Sequence, residues 1–150
     1  MADIVSPEKR SQMMSGIRSK NTRPEKLIRS LLHREGFRFR LHTTSLPGKP
    51  DLVFPKYKAV IFVNGCYFHG HDCHLFKLPS SNTAFWNNKI VGNRKRDEKR
   101  IKELNLQGWR VLTIWECSVR GKNKIDILDL LIYISKWLVT GKKNSDIRGL

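Results

Sequence analysis

Three cysteines and one of several histidines carry the most specific spacing in the 150-residue chain. Cys66, His71 and Cys73 lie close together, Cys117 lies far along the chain, and the set uses every cysteine present. An odd number of thiols argues against a closed disulfide framework. Three clustered donors and a distant fourth would instead let a tetrahedral ion tie a loop to a remote strand, and zinc suits nitrogen and sulfur ligands. Spacing alone does not choose among His69, His71 and His74, though His74 is the weakest because adjacent residues rarely aim two side chains at one ion. Cys66 and Cys117 as small buried hydrophobes is the plainer alternative. A site closed by four protein ligands has no open position, so it would hold structure and do no hydrolysis itself.

A second constellation is built on a carboxylate. Pro50-Asp51 opens the apolar run Leu52-Val53-Phe54, and another, Val60-Ile61-Phe62-Val63, follows closely. Many nucleases hold Mg²⁺ on an acid placed like Asp51, where the ion lowers the pKa of its bound water and stabilises a departing oxyanion. The usual acid and lysine are missing from the second run, which ends Val63-Asn64. Taken alone, Pro-Asp also marks an ordinary turn.

Large aromatic side chains sit where a core would not need them. Tyr67 and Phe68 lie inside the candidate metal loop, and Trp86 opens a long polar stretch. Rings held in a polar loop suit insertion between stacked bases, at a cost of roughly a few kcal/mol of unstacking. The charge points the same way: Lys and Arg number 29 against 13 Asp and Glu, a net +16. Residues 1–40 carry +6 and residues 89–110 carry +5, so this is not a basic tail on a neutral domain. A folded domain this basic meets a polyanion, with nucleic acid the first candidate; a merely solvated basic surface is the alternative. No membrane association is expected, since no apolar run is long enough to span and no basic amphipathic helix stands apart. The opening MADIVSPEKR lacks the apolar core of a secretory signal, which makes the cytoplasm the expected compartment.

The elements that must position these residues fit one domain over 1–150, with residues 1–20 as an N-terminal arm. Ser6 as cap and Pro7 in the first turn predict a short helix over 6–18. Thr22-Arg23-Pro24-Glu25 is a capping box that predicts a helix to Gly36, with Leu27, Ile28, Leu31 and Leu32 as its apolar face. Alternation over Phe37–Leu41 predicts a strand, and two more follow over 50–54 and 58–63, joined at Pro55. Residues 64–80 read as an irregular loop, and a polar helix is predicted over 82–106, ending near Gly108. Arg110–Trp115 reads as a buried strand. A last helix over 124–140 would turn Leu128, Leu131, Ile132 and Trp137 inward. This order predicts an α/β fold, a mixed sheet with helices on both faces.

Several stretches together resemble the Vsr very-short-patch repair endonucleases: Pro47-Gly48-Lys49-Pro50-Asp51, Val60 through His69, His71-x-Cys73, and Trp109-Arg110-Val111 through Trp115-Glu116-Cys117. The likeness runs from about residue 10 to about residue 140. It implies a restriction-endonuclease-like fold with a structural zinc on Cys66, His71, Cys73 and Cys117. It implies Asp51 as the Mg²⁺ carboxylate, the backbone carbonyl of Val63 as a further ligand, His69 as the base in place of the missing lysine, and Glu25 near the metal. Tyr67, Phe68 and Trp86 would be the major-groove wedge, with Met14 and Ile17 on the minor-groove side. The implied reaction is Mg²⁺-dependent hydrolysis of one strand, 5′ of the thymine in a T·G mismatch left by 5-methylcytosine deamination. A T·G pair is weaker than a Watson–Crick pair and opens at lower cost. The implied partners are double-stranded DNA holding that mismatch and, functionally, a cytosine-5 DNA methyltransferase; a monomer would cut one strand.

Each assignment has a plainer counterpart. Glu25 is also the capping-box acid, His69 could serve the zinc in place of His71, Met14 and Ile17 could simply pack a helix, and Asp97, an acid in the family too, could be a solvated ion-pair partner. The chain departs from the family at Val63 and Asn64, often Thr and His there, and at Phe68, typically Trp. Two rival functions fit the residues without the resemblance. One is a restriction-type nuclease cutting both strands of paired DNA, and the other is a non-catalytic zinc module that binds DNA.

Overall fold

The computed structural model describes residues 22–78 and 80–150. The expected helix over 6–18, with Met14 and Ile17, and the arm over 1–20 lie outside the described residues. Within them, α1 (Arg23–Arg34) leads into β1 (Arg40–Leu41), β2 (Leu52–Phe54) and β3 (Ala59–Asn64). Then come α2 (Thr83–Leu106), β4 (Arg110–Trp115), α3 (Ile127–Thr140) and β5 (Ser145–Ile147).

The strands form one sheet in sequence order. β1 and β3 pair antiparallel with β2, whereas β4 runs parallel to β3 and β5 parallel to β4. The two parallel connections contain α2 and α3, as parallel strands require long crossovers. Alternation along the strands splits the core in two. Leu52, Phe54, Ala59, Ile61, Leu112 and Ile114 face α1 and α3. Val53, Val60 and Val111 face the other way, against Leu104 of α2. A fold with helices on both faces of a mixed sheet is therefore what the alternation of apolar residues builds.

Several boundaries and faces differ from the sequence expectation. The strand expected from Phe37 pairs only from Arg40; Phe37 and Phe39 still alternate inward against the core, but without a ladder. In α1, Ile28, Leu31 and Leu32 are buried while Leu27 is exposed, because the buried stripe is completed by Glu25. In α3, Leu130, Ile134, Trp137 and Leu138 face the core, Leu131 packs partly against it, and Leu128 and Ile132 are exposed. That helix is apolar on more than one face, so periodicity did not define its phase. β5 was not expected at all. Among the described residues no helix is long and apolar enough to cross a membrane.

Candidate metal centre and active site

The parallel pairing of β3 and β4 brings Asn64 beside Trp115. Cys66 and Cys117 follow two residues beyond each strand end and are both buried. The intervening loop folds back, with the His71 N–H on the Cys66 carbonyl and the Cys73 N–H on the His71 carbonyl, each at 2.9 Å. Ligand atoms of Cys66, His71, Cys73 and Cys117 thereby lie within 4.8 Å of one another. The His71 Nδ1 is 3.5 Å from Cys66 Sγ and 3.6 Å from Cys117 Sγ. Zinc with sulfur at ~2.3 Å and nitrogen at ~2.0–2.1 Å in a tetrahedron needs a sulfur–nitrogen edge of about 3.5 Å, so the donor set fits.

Groups around the cluster suit a bound cation. Burial pushes the Cys66 and Cys117 thiols up and the His71 imidazole down. Uncharged groups are what this interior favours, and a dication would reverse that preference for the thiols. The Cys117 and Gly149 N–H groups donate to Cys66 Sγ and Cys117 Sγ, each at 3.3 Å. The His71 ring stacks on Trp115 at 4.1 Å, and its Nε2 is 3.8 Å from Asp72, which Arg148 holds through two hydrogen bonds of 2.8 Å. The cluster thus takes His71, while His69 and His74 stand outside it.

The second site is a pair of carboxylates. Asp51, just before β2, accepts the Val63 N–H of β3 at 2.8 Å. Glu25 projects from the first turn of α1 and is 1% exposed. Thr22 caps the helix by accepting the Glu25 N–H at 3.4 Å, but the Glu25 carboxylate turns inward, to Arg29 at 2.9 Å and His42 Nε2 at 2.8 Å. Burial and the neighbouring Glu25, opposed by the Val63 hydrogen bond, push the Asp51 carboxyl up to about 7. A buried acid beside a half-buried one whose ionisation is disfavoured is a donor set that a hard dication such as Mg²⁺ fits.

His42 is the residue that sequence reasoning missed. It stands in the left-handed backbone region, φ 47°, with its Nε2 4.0 Å from Asp51 Oδ1. Glu25, His42 and Asp51 form a second cluster of metal-ligating side chains. Nothing in its flanking residues marks His42; only the pairing of β1 with β2 carries it to the acids.

His69 lies beyond the end of β3, and its Nδ1 is 2.5 Å from Asp97 Oδ2 on α2. The loop is pressed onto this helix so closely that Gly70, at φ 59°, has no room for a side chain: a Cβ would stand 2.4 Å from Ile90. The three expected wedge residues also meet. The Tyr67 ring lies edge-on to Phe68 at 5.2 Å and to Trp86 at 6.0 Å. Phe76 and Phe85 extend the cluster, and Lys89 lies 5.4 Å above the Trp86 ring. These two phenylalanines were not singled out in the sequence, although the first lies in the same loop and the second adjoins Trp86.

The chain is similar to known proteins. A family model described as DNA mismatch endonuclease Vsr matches residues 2–75. The chain is 43% identical to the DNA mismatch endonuclease Vsr of Escherichia coli, over 92% of this chain and 88% of that protein. It is 51% identical to the type II nicking enzyme V.XorIIP of Xanthomonas oryzae pv. oryzae, over 79% of this chain and 88% of that protein. The catalytic domain of the homing endonuclease I-Bth0305I superposes with a TM-score of 0.53 at 23% identity, covering 81% of this chain and 98% of that domain. The last likeness speaks to fold alone and places the sheet among restriction-endonuclease-like folds. With the level of identity to its relatives and their near-complete coverage, the chain belongs to the Vsr family of DNA mismatch endonucleases.

Proposed function

We propose that the protein is a Mg²⁺-dependent endonuclease that nicks one DNA strand on the 5′ side of the thymine in a T·G mismatch. The observation that carries this reading is the presence, around the end of β3, of two kinds of hydrolytic group. One is a carboxylate pair, the buried Glu25 and the half-buried Asp51; the other is an imidazole, His69, held by the Asp97 carboxylate.

In this reading Asp51, Glu25 and the Val63 carbonyl hold the magnesium, and His42 orients Glu25. The ion when bound supplies Lewis-acid stabilisation of the phosphodiester oxygens. Asp97 accepts the His69 Nδ1–H, which leaves the Nε2 lone pair to take a proton from the attacking water. Asn64 contributes no ionisable group beside this chemistry. The basic surface holds the phosphates, and Tyr67, Phe68 and Trp86 enter the base stack from the major groove, with Met14 and Ile17 opposite. A T·G pair separates at lower cost than a Watson–Crick pair, so the wedge selects it. Deamination of 5-methylcytosine leaves T opposite G, so a cytosine-5 methyltransferase supplies the lesion. One active site in a monomer cuts one strand.

The deciding experiment is single-strand nicking with Mg²⁺ on matched duplexes holding T·G, A·T or G·C at one position. Nicking confined to T·G is the expected result. Double-strand cleavage of the paired duplexes would favour a restriction-type nuclease, and binding without cleavage a DNA-binding module.

Two further outcomes are expected. The purified protein should hold about one zinc per chain, and Cys66→Ala or Cys117→Ala should lose it together with cooperative unfolding, because a closed zinc site contributes folding free energy. Metal analysis and thermal melts test this; a metal-free protein with an unchanged melt would remove zinc from the account. Phe68→Ala and Trp86→Ala should weaken T·G binding by about 5–150-fold, taking ~1–3 kcal/mol for each lost base–aromatic contact, and weaken binding to paired DNA far less. Equal losses on both duplexes would make these rings nonspecific contacts.

A further inference from the structure

α2 meets the loop after β3 with a single face. Trp86, Ile90, Asn93, Arg94 and Asp97 recur at helical spacing, and each engages a loop residue. Trp86 meets the Tyr67 ring and Ile90 bounds Gly70. Asn93 Nδ2 donates to the Phe68 carbonyl at 2.8 Å, Arg94 Nε donates to the His69 carbonyl at 3.3 Å, and Asp97 holds the His69 ring. Arg96 in turn donates to Asn93 Oδ1, which sets the donor end of that amide toward the loop.

The Phe68 carbonyl belongs to the same planar peptide as the His69 N–H. Any rotation of that plane changes the backbone angles of Phe68 and His69 together. The side chain assigned to the wedge and the side chain assigned to proton transfer are therefore hung on α-carbons ~3.8 Å apart, across one rigid unit. Whatever fixes that unit fixes both. Asn93 grips that unit directly, from the middle of a 24-residue helix.

We propose that Asn93 is a positioning residue for His69. It locks the peptide between Phe68 and His69, so that when Phe68 is pushed by the base stack the imidazole stays in line with the scissile phosphate. This rests on the reading of His69 as the base and goes beyond it: recognition of the mismatch and proton transfer become parts of one clamped segment. The role needs a neutral donor. A carboxylate at position 93 would keep the Arg96 pairing but present only acceptors to the Phe68 carbonyl, and alanine would remove the grip altogether.

The test measures T·G affinity without added Mg²⁺, single-turnover nicking with saturating enzyme, zinc content and thermal midpoint. Asn93→Ala and Asn93→Asp are each made in the wild-type and His69→Ala backgrounds. The expected result for both is a nicking rate reduced about 10–100-fold, since a displacement of about 1 Å costs up to ~10²-fold. Affinity should stay within about threefold of wild type, with zinc and midpoint unchanged. In the His69→Ala background, either substitution should cost no further rate. Wild-type rates in both single variants would overturn the proposal. So would a rate loss that persists without His69 and comes with weaker T·G binding, which would make Asn93 a direct DNA contact. If Asn93→Ala does not fold, Asn93→Asp decides alone. Full activity in His69→Ala would instead remove the underlying reading of the base, an outcome distinct from Asn93 failing while His69 is essential.

Discussion

Asp51→Asn should abolish nicking and at the same time stabilise the metal-free protein. The loss is expected to reach at least ~10³-fold, because an ion that stabilises the reacting oxygens contributes several kcal/mol to the transition state. DNA affinity should remain within a few-fold, because basic residues spread along the chain carry it. The gain in stability follows from the environment of the carboxylate. Burial and the adjacent Glu25 raise Asp51 to about 7 from its ordinary 3.8. A carboxyl that is harder to ionise in the folded chain than in the unfolded one contributes most at low pH, below the unfolded value, and loses that contribution as pH rises through about 7. Without divalent metal, wild-type stability should therefore fall relative to Asp51→Asn between about pH 4 and pH 8, and Mg²⁺ should close the gap. Asparagine keeps an acceptor for the Val63 N–H while removing the charge. Thermal melts across pH, with and without Mg²⁺, read the effect; at pH 8 the variant should melt at least ~2 °C higher without metal. A wild type that melts as high as the variant at pH 8, or a variant that still nicks, would take Asp51 out of the metal site. At subsaturating Mg²⁺ the same ionisation should weaken apparent Mg²⁺ affinity as pH falls below about 7, and saturating Mg²⁺ should move that fall to lower pH.

The second large effect separates two histidines in one loop. His71→Ala should release zinc and lose cooperative folding, since His71 Nδ1 closes the edges to Cys66 and Cys117. His69→Ala should keep zinc and the melt but lose about 10²–10⁴-fold in single-turnover rate, the usual contribution of a positioned base. Asp97→Asn should fall in the same direction, because an amide no longer fixes the ring with Nε2 free to accept a proton. Zinc content and single-turnover nicking, measured on the same preparations, read both effects. Zinc lost from His69→Ala and retained in His71→Ala would exchange the two roles, leaving Glu25 as the next residue to test as base.

The sequence was most legible where chemistry restricts residue type. Cysteine is rare and metal-ligand spacing is narrow, so the candidate cluster is visible without any fold, though spacing alone leaves His69, His71 and His74 open and only the folded loop brings His71 to the cysteines. Strands buried on both faces read clearly because their apolar runs are continuous. α3 did not, since a helix apolar on more than one side does not declare its inner face. β5, only Ser145–Ile147, is recruited by the edge of β4 and carries no pattern of its own. His42 was invisible for a different reason. Its partners, Glu25 and Asp51, lie on other elements, and only the antiparallel return of the chain places it between them. Glu25 shows how one residue satisfies two readings: its N–H belongs to the helix cap and its carboxylate to the cluster with His42 and Asp51.

The Cys/His cluster bears on how such a protein can change over generations. Residues 67–70 lie between two of its members, and their path is held at both ends by Cys66 and His71. A loop anchored in this way does not need its own side chains to pack a core, so its closure depends little on what they are. Under the proposed wedge reading, substitutions at Tyr67 and Phe68 would alter the lesion recognised without drawing on the narrow margin that keeps the domain folded. Gly70 is the exception, because α2 leaves no space there. On that reading the cluster would separate heritable variation in specificity from variation in stability.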